Sequence, residues 1–322
     1  MLHFNTEEIE KIKKKLNGYE LTSFNVGLLT KRKDKILLKK IRKEISERLK
    51  LRPKIQGEDV FILIDPEKGT INVRIASVFV SGRYRKLKRG IAQTKFYCPK
   101  CKGKGCKSCN YRGKLDIDSI EELIAPFFVE MFKAKEIKFH GAGREDTDVR
   151  MLGLGRKFVI EVIKPKRRKI NLQKLQNAIN KKYKGRIEIF NLEYCSKKRI
   201  AEIKAEKNDK LYRAVVICES KVCSREIEKL KGKKLNIEQK TPKRVAFRRA
   251  DKIRTKHVEI LYANKINEKE FELILKAEAG TYIKEFISGD NSRTKPSVSS
   301  LLNKRCKCKE LDVLFIYESF QN

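Results

Sequence analysis

Apolar residues recur at helical spacing at Leu37, Ile41, Ile45 and Leu49 within a lysine-rich segment, and that stripe predicts a helix with one buried face. Two β-prone runs follow, 60–64 and Ile71, Val73, Ile75 with Val78, on either side of Asp65-Pro66-Glu67-Lys68-Gly69. A Pro/Gly turn between such runs predicts a hairpin. Further on, Ser119-Ile120-Glu121-Glu122 has the form of a capping box, in which hydroxyl and carboxylate satisfy the free amides of a first helical turn. It opens an amphipathic helix through Leu123, Ile124, Phe127, Phe128 and Met131. Beyond it, 137–140, 158–163, 187–190, 211–218, 271–275 and 311–317 read as strands, and Leu172, Leu175 and Ile179 mark a helix. Strands and helices alternate irregularly, without a repeat period or a long disordered tract, so the fold class is α+β. A domain boundary is expected near residue 115, dividing the chain into 1–115 and 116–322.

Charge adds a partner to this picture. The 322 residues carry 78 Lys+Arg against 41 Asp+Glu, a formal net charge of +37. An excess spread along the whole chain predicts a polyanionic partner, RNA of the tRNA kind or DNA. A surface merely solvated by lysine is the plainer alternative. The run Gly82-Arg83-Tyr84-Arg85-Lys86-Leu87-Lys88-Arg89-Gly90 sets one aromatic among cations, a mixture that suits phosphate contact with base stacking. The chain has no run of 18 apolar residues, and Met1-Leu2-His3-Phe4-Asn5-Thr6-Glu7-Glu8 lacks the form of a signal peptide. A cytoplasmic protein with no membrane attachment is expected, its cysteines reduced or metal-bound.

The cysteines sharpen that expectation. Cys98-Pro99-Lys100-Cys101 and Cys106-Lys107-Ser108-Cys109 form C-x2-C-x4-C-x2-C, two knuckles that can aim four thiolates at one ion while Gly103 and Gly105 let the chain turn back. Four thiolates suit a closed, structural zinc site with no position left for a reacting water. Such a site stabilises a segment too short for its own core, and Lys100, Lys102, Lys104 and Lys107 make it basic. Cys195, Cys218, Cys223, Cys306 and Cys308 show no four-ligand spacing.

Three segments are candidates for chemistry. Gly143-Arg144-Glu145-Asp146-Thr147-Asp148-Val149-Arg150-Met151 packs three acids and two arginines into a short polar stretch. A carboxylate beside an arginine is favoured in its charged form and oriented, which prepares an aspartate as nucleophile or base. Lys210-Leu211-Tyr212-Arg213 sets an aromatic between cations at the start of a strand. Gly280-Thr281-Tyr282-Ile283-Lys284-Glu285-Phe286 reads locally as the lead-in to a strand. Taken singly, each has an ordinary structural explanation; their co-occurrence in a basic chain with a cysteine cluster shifts the balance toward a functional site.

The stretches 139–153 and 280–286 resemble the signatures of the archaeal-type tRNA pseudouridine synthases that modify the T-loop. So do 82–94, the cysteine cluster, and 239–249 with Thr241-Pro242-Lys243-Arg244-Val245. The resemblance covers roughly residues 75–315. It implies an N-terminal THUMP-containing, THUMP-like RNA-binding domain with the zinc knuckle, and a pseudouridine synthase catalytic domain on a mixed, largely antiparallel sheet. It also implies conversion of uridines 54 and 55 of tRNA to pseudouridine, with no organic cofactor and the T-arm of tRNA as partner; a monomer is the default expectation. Carried over by matching position, Asp146 is the catalytic aspartate, attacking the uridine or removing a proton. Tyr212 stacks on the target base, Lys284 pairs with the aspartate, Ile283 lines the base pocket, and Arg144 holds the displaced helix or orients the flipped base; Tyr282 completes the substrate-binding set. Many members of that family carry a further Cys-x-x-Cys upstream; this chain has no cysteine before Cys98, and a shortened N-terminal domain is expected. Two rival functions remain. One is a noncatalytic tRNA-binding or chaperone protein that retains the fold. The other is a nuclease holding magnesium on Glu145, Asp146 and Asp148.

Overall fold

The computed structural model describes residues 6–30, 35–248 and 250–318. Residues 1–5 of the N-terminal stretch and Arg249, the last residue of the stretch 239–249, lie outside them. The first part of the chain runs α1 (Thr6–Leu16), β1 (Ser23–Leu28), α2 (Lys35–Leu49), β2 (Arg52–Pro53), β3 (Val60–Asp65) and β4 (Thr70–Ile75). The stripe expected in α2 buries Ile41 and Ile45, and alternation turns Val60, Ile62 and Ile64 of β3 inward. β3 and β4 form the expected hairpin, Val60 opposite Ile75 and Asp65 opposite Thr70. The sheet order is β2-β1-β3-β4, with β1 parallel to both neighbours. Ile9, Ile12, Phe24, Val26, Ile41, Ile45 and Ile62 close a first hydrophobic core on it.

A second sheet of ten strands begins at β5 (Val78–Lys86). The cysteine segment is inserted before α3 (Ile120–Phe132). Then follow β6 (Glu136–Gly141), β7 (Val149–Ile163), α4 (Leu172–Lys182), β8 (Ile187–Cys195), α5 (Lys198–Ala205) and β9 (Lys210–Cys218). The chain continues with α6 (Ser224–Glu228), β10 (Lys234–Lys240), β11 (Ile253–Lys265) and β12 (Glu270–Ala277). It ends with α7 (Ile283–Ser288), β13 (Thr294–Lys295), α8 (Val298–Leu302) and β14 (Cys306–Ile316). The order is β13-β10-β11-β12-β9-β14-β7-β5-β8, with β6 also on β7. All pairs are antiparallel except β14 with β7, where Leu311 lies opposite Val149. The sheet is therefore mixed and largely antiparallel, as expected.

The N-cap half of the expected capping box forms: Glu122 N–H donates to Ser119 Oγ at 3.2 Å, while the Glu122 carboxylate accepts from Ser119 Oγ at 2.8 Å rather than from the Ser119 amide. The helix it opens, α3, buries Ile120, Leu123, Ile124, Phe128 and Phe132 against the sheet, with the last two rings stacked. Burying a side chain of that size contributes about 1.5–3 kcal/mol. The buried residues of the first core end at Ile71, with the partly buried Val73 and Ile75 packed on it, and the second core begins at Val78, upstream of the division expected near residue 115. Polar contacts join them: Arg168 pairs with Asp59 at 2.9 Å, and Glu20 N–H donates to Lys166 O at 2.8 Å. No helix among the described residues is long and apolar enough to cross a membrane.

β7 carries the tightest backbone approach. Gly153 and Gly155 have φ of +54° and +64°, and a Cβ on Gly153 would stand 2.0 Å from Leu314 O. Only glycine fits that crossing of β7 past β14.

The run 82–90 departs from its expected use as a free phosphate-contacting surface. As part of β5, Tyr84 and Lys86 are wholly buried. Arg83 pairs with Glu318, Arg85 with Glu188, and Arg89 with Glu310 and Asp312. Strand pairing on both sides turned alternate members of a basic run into the core, and the described acids took up these arginines.

Candidate active site

The acidic segment forms the turn from β6 into β7, and side chains of neighbouring elements grip its carbonyls. Lys86 Nζ donates to Asp146 O at 2.8 Å and to Ile91 O at 2.7 Å. Gln93 Nε2 donates to Gly143 O and Arg156 Nη1 to Ala142 O, both at 2.8 Å; Arg89 Nη1 donates to Asp148 O at 2.9 Å. Glu145 turns inward. Its carboxylate accepts from Tyr84 Oη at 3.0 Å and Arg156 Nε at 2.7 Å, with Lys86 Nζ at 3.6 Å. Burial, and then the Glu145 charge, hold the Tyr84 phenol well above its ordinary value. Burial pushes the Lys86 amine down against the pull of Glu145.

Asp146 turns the other way, into a cavity of about 380 Å³. Arg244 Nη1 donates to its Oδ1 and lies 3.0 Å from Oδ2, and Lys284 Nζ lies 3.4 Å from Oδ2. Lys284 is nearer to Asp148, at 2.7 Å from both oxygens. The arginine on the aspartate is thus Arg244, from the turn after β10, while Arg150 of the same acidic segment pairs with the buried Asp312 at 2.7 Å. Arg244 is itself held by Glu285 at 2.6 Å. Burial works against its charge, but the Glu285 and Asp146 carboxylates keep its guanidinium above the usual value.

The other expected site residues meet at this cavity. Tyr212, Tyr282, Ile283, Lys284 and Arg144 all line it. Tyr212 is nearly buried, and desolvation pushes its phenol up to about 12, Arg156 opposing and Glu145 adding. The segment 280–286 leads into a helix, α7, rather than a strand: Gln239 clamps the turn, accepting from Tyr282 N–H at 2.8 Å and donating to Tyr282 O at 3.0 Å. That turn aims Lys284 at the acids and sets Tyr282 with the Arg244 guanidinium 5.9 Å from its ring centre. Arg144 stands over the Phe96 ring at 4.8 Å, on the cavity wall. The magnesium arrangement does not form: Glu145 faces Tyr84 and Arg156, while Asp146 and Asp148 face Arg244 and Lys284. Sequence reasoning assigned no part to Arg244, Glu285, Arg156 or Phe96. The local signals were that Arg244 and Glu285 lie in the stretches 239–249 and 280–286 that carry the resemblance.

The four cysteines converge, their sulfurs all within 4.8 Å of one another. Cys98–Cys106, Cys101–Cys109 and Cys106–Cys109 stand 3.9, 3.8 and 3.7 Å apart. Those are the edges of a tetrahedron around an ion about 2.3 Å from each sulfur, the zinc–thiolate distance. Backbone N–H groups of Gly105, Cys106 and Gly113 donate to the sulfurs of Cys101 and Cys109 at 3.2–3.3 Å, as thiolate ligands require. The residues fit zinc.

Residues 79–317 match the family described as Pus10, C-terminal. The chain is 44% identical over 338 residues to a tRNA pseudouridine synthase Pus10 of Methanocaldococcus jannaschii, covering 98% of this chain and 74% of that protein. It is 41% identical over 331 residues to the tRNA pseudouridine synthase Pus10 of Archaeoglobus fulgidus, covering 96% and 91%. A chain in a crystal structure of a Cbf5-Nop10-Gar1 complex overlaps 73% of this chain and 48% of its own length, at 14% identity and a TM-score of 0.37.

Proposed function

The chain belongs to the Pus10 family, and on that premise we propose that it is a tRNA pseudouridine synthase acting on uridines 54 and 55 of the T-loop, with Asp146 as its catalytic residue. One observation carries the assignment of Asp146. Three carboxylates line the cavity, and two are committed to its wall: Glu145 to Tyr84 and Arg156, Glu206 to Lys157 at 2.9 Å. Asp146 alone is presented to the space between Arg244 and Lys284.

The isomerisation breaks the N1–C1′ bond of uridine and forms C5–C1′; C5 loses a proton and N1 regains one, so nothing is consumed. The nucleotide must leave the stack to expose those atoms. Tyr212 and Tyr282 offer aromatic faces for the extruded base, and Ile283 an apolar wall. Asp146 acts at the reacting nucleotide, and the cations beside it offset the charge that develops on base or sugar. Arg144, over Phe96 on the cavity wall, holds the displaced helix or orients the flipped base. No organic cofactor is required. Zinc, held by Cys98, Cys101, Cys106 and Cys109, supplies rigidity to the segment between β5 and α3 and takes no part in the reaction.

We place the division between the units at residues 76–77. The first unit is a THUMP-like RNA-binding domain, the second the catalytic domain, and the protein acts as a cytoplasmic monomer on the T-arm. The test is pseudouridine mapping on unmodified tRNA transcript by carbodiimide adduct and primer extension. Stops in the T-loop with the wild type, absent with Asp146→Ala, are expected. A zinc-loaded wild type that binds tRNA and leaves it free of pseudouridine would favour the noncatalytic protein.

A further inference from the structure

The wall carrying Tyr212 holds a cation that the site as described does not use. Lys210 lines the same cavity, and in the extended β9 it lies on the same face as Tyr212, about 6.6 Å along the strand. Its Nζ donates to the backbone carbonyl of Asn208 at 2.7 Å, and no carboxylate of the described residues forms an ion pair with it. The cavity's other cations on this side are matched or exposed. Arg156 is bound to Glu145, and the nearby Lys157 and Lys256 are bound to Glu206 and Glu278. Lys204, from α5, lines the cavity and is exposed.

Lys210 is therefore a half-buried cation lining the cavity with no carboxylate of the described residues in ion-pair contact. Burial pushes its amine down to about 8; Arg156 acts in the same sense, Asp209 against it, and Lys256 again with it. An anion placed in the cavity would offset that desolvation. The anion repeated along the strand of a flipped nucleotide is its phosphodiester, and a phosphate lies about as far from its own base as Lys210 lies from Tyr212.

We propose that Lys210, with Lys204 lining the same cavity, binds a backbone phosphate of the RNA strand whose uridine is held at Tyr212. The assignment rests on the reading that the cavity receives a uridine of tRNA. It divides the site between two sets of cations: Arg244 and Lys284 serve Asp146, and Lys210 serves the substrate backbone.

The test is equilibrium binding of unmodified tRNA transcript over a range of salt concentration, with wild type, Lys210→Gln and Lys210→Arg. Each phosphate contact releases counterions, so the slope of log affinity against log salt should fall by about 0.7–0.9 in Lys210→Gln and return to the wild-type slope in Lys210→Arg. The wild type should also lose affinity as pH rises through about 8 and the amine gives up its proton, whereas Lys210→Arg, always charged, should not. An unchanged slope in Lys210→Gln overturns the proposal, as does an Arg variant as weak as the Gln variant, which would mark Lys210 as a packing residue. If the wild type itself fails to bind tRNA, the underlying reading of the cavity is what has failed.

Discussion

Glu145 and Asp146 are neighbours in the chain with opposite surroundings. Glu145 is sealed between Tyr84, Arg156 and Lys86, while Asp146 faces the cavity with Arg244 and Lys284. The first fixes the turn so that the second can be aimed. Removing the Glu145 charge leaves two buried cations facing each other, so Glu145→Gln should destabilise the protein by about 3–5 kcal/mol, read as a lower urea midpoint. Zinc content should not change, because the knuckle is a separate element. Arg244→Ala leaves the buried Glu285 carboxylate without the guanidinium that holds it, so it should also lower the urea midpoint. Under conditions where the variant is fully folded it should slow single-turnover pseudouridine formation about a hundredfold, with Arg244→Lys recovering part of the rate. A rate unaffected by Arg244→Ala would make its contact with Asp146 incidental. The sequence made Asp146 legible through the density of charge around it, and Tyr212 and Lys284 through the motifs that carry them. Arg244 stood in the stretch 239–249 that resembles the family, but its contact with Asp146 was not legible: it reaches across 98 residues, and only tertiary packing brings two such positions together. For the same reason Tyr84, aromatic among cations and so apparently suited to RNA, proved to be a buried hydrogen-bond donor.

Elements with a strong period could be read in advance and those without one could not. α2 and α3 have apolar residues at helical spacing, and α3 has its Ser119 N-cap. β10 buries only Ile237 and Gln239, a polar residue among them, so no alternation announces it. α7 is six residues long, too short to show a period, and its position depends on the Gln239 clamp. The cysteine knuckle lies at the other extreme, legible from spacing alone, because four ligands for one ion leave little freedom. Its stability should depend on the metal. Between Phe96 and Leu115 the backbone is held mainly by the thiolate cluster and by pairing such as Cys98 N–H to Gly113 O at 2.8 Å. Chelation should therefore open this segment locally. Hydrogen exchange is expected to rise in 96–115 and stay low in β5, β7 and β9, with one equivalent of zinc released. If β5 and β7 lost protection to the same extent, the metal would support the whole sheet rather than its insertion.

At the scale of the molecule, two hydrophobic cores share one strongly basic chain. None of the buried apolar residues of the larger core precedes Val78, and the described contacts across the division include polar ones such as Asp59 with Arg168 and Glu20 with Lys166. Polar contacts of this kind hold an orientation but supply little of the cohesion that keeps either sheet folded. Residues 77–322 should consequently fold without the first unit, giving a single cooperative unfolding transition and retaining the Asp146 cavity. RNA affinity is a different matter, because it grows with the number of phosphates neutralised over the whole surface, and the first unit brings lysine-rich α1 and α2. The shortened protein should therefore bind tRNA more weakly, with a shallower salt dependence, yet still form pseudouridine at the same T-loop positions when its concentration is raised. Loss of affinity with retention of position would mean that the cavity and its surroundings choose the uridine while the first unit supplies grip. If pseudouridine instead appeared at other uridines, the first unit would be the part that measures where along the tRNA the cavity is placed.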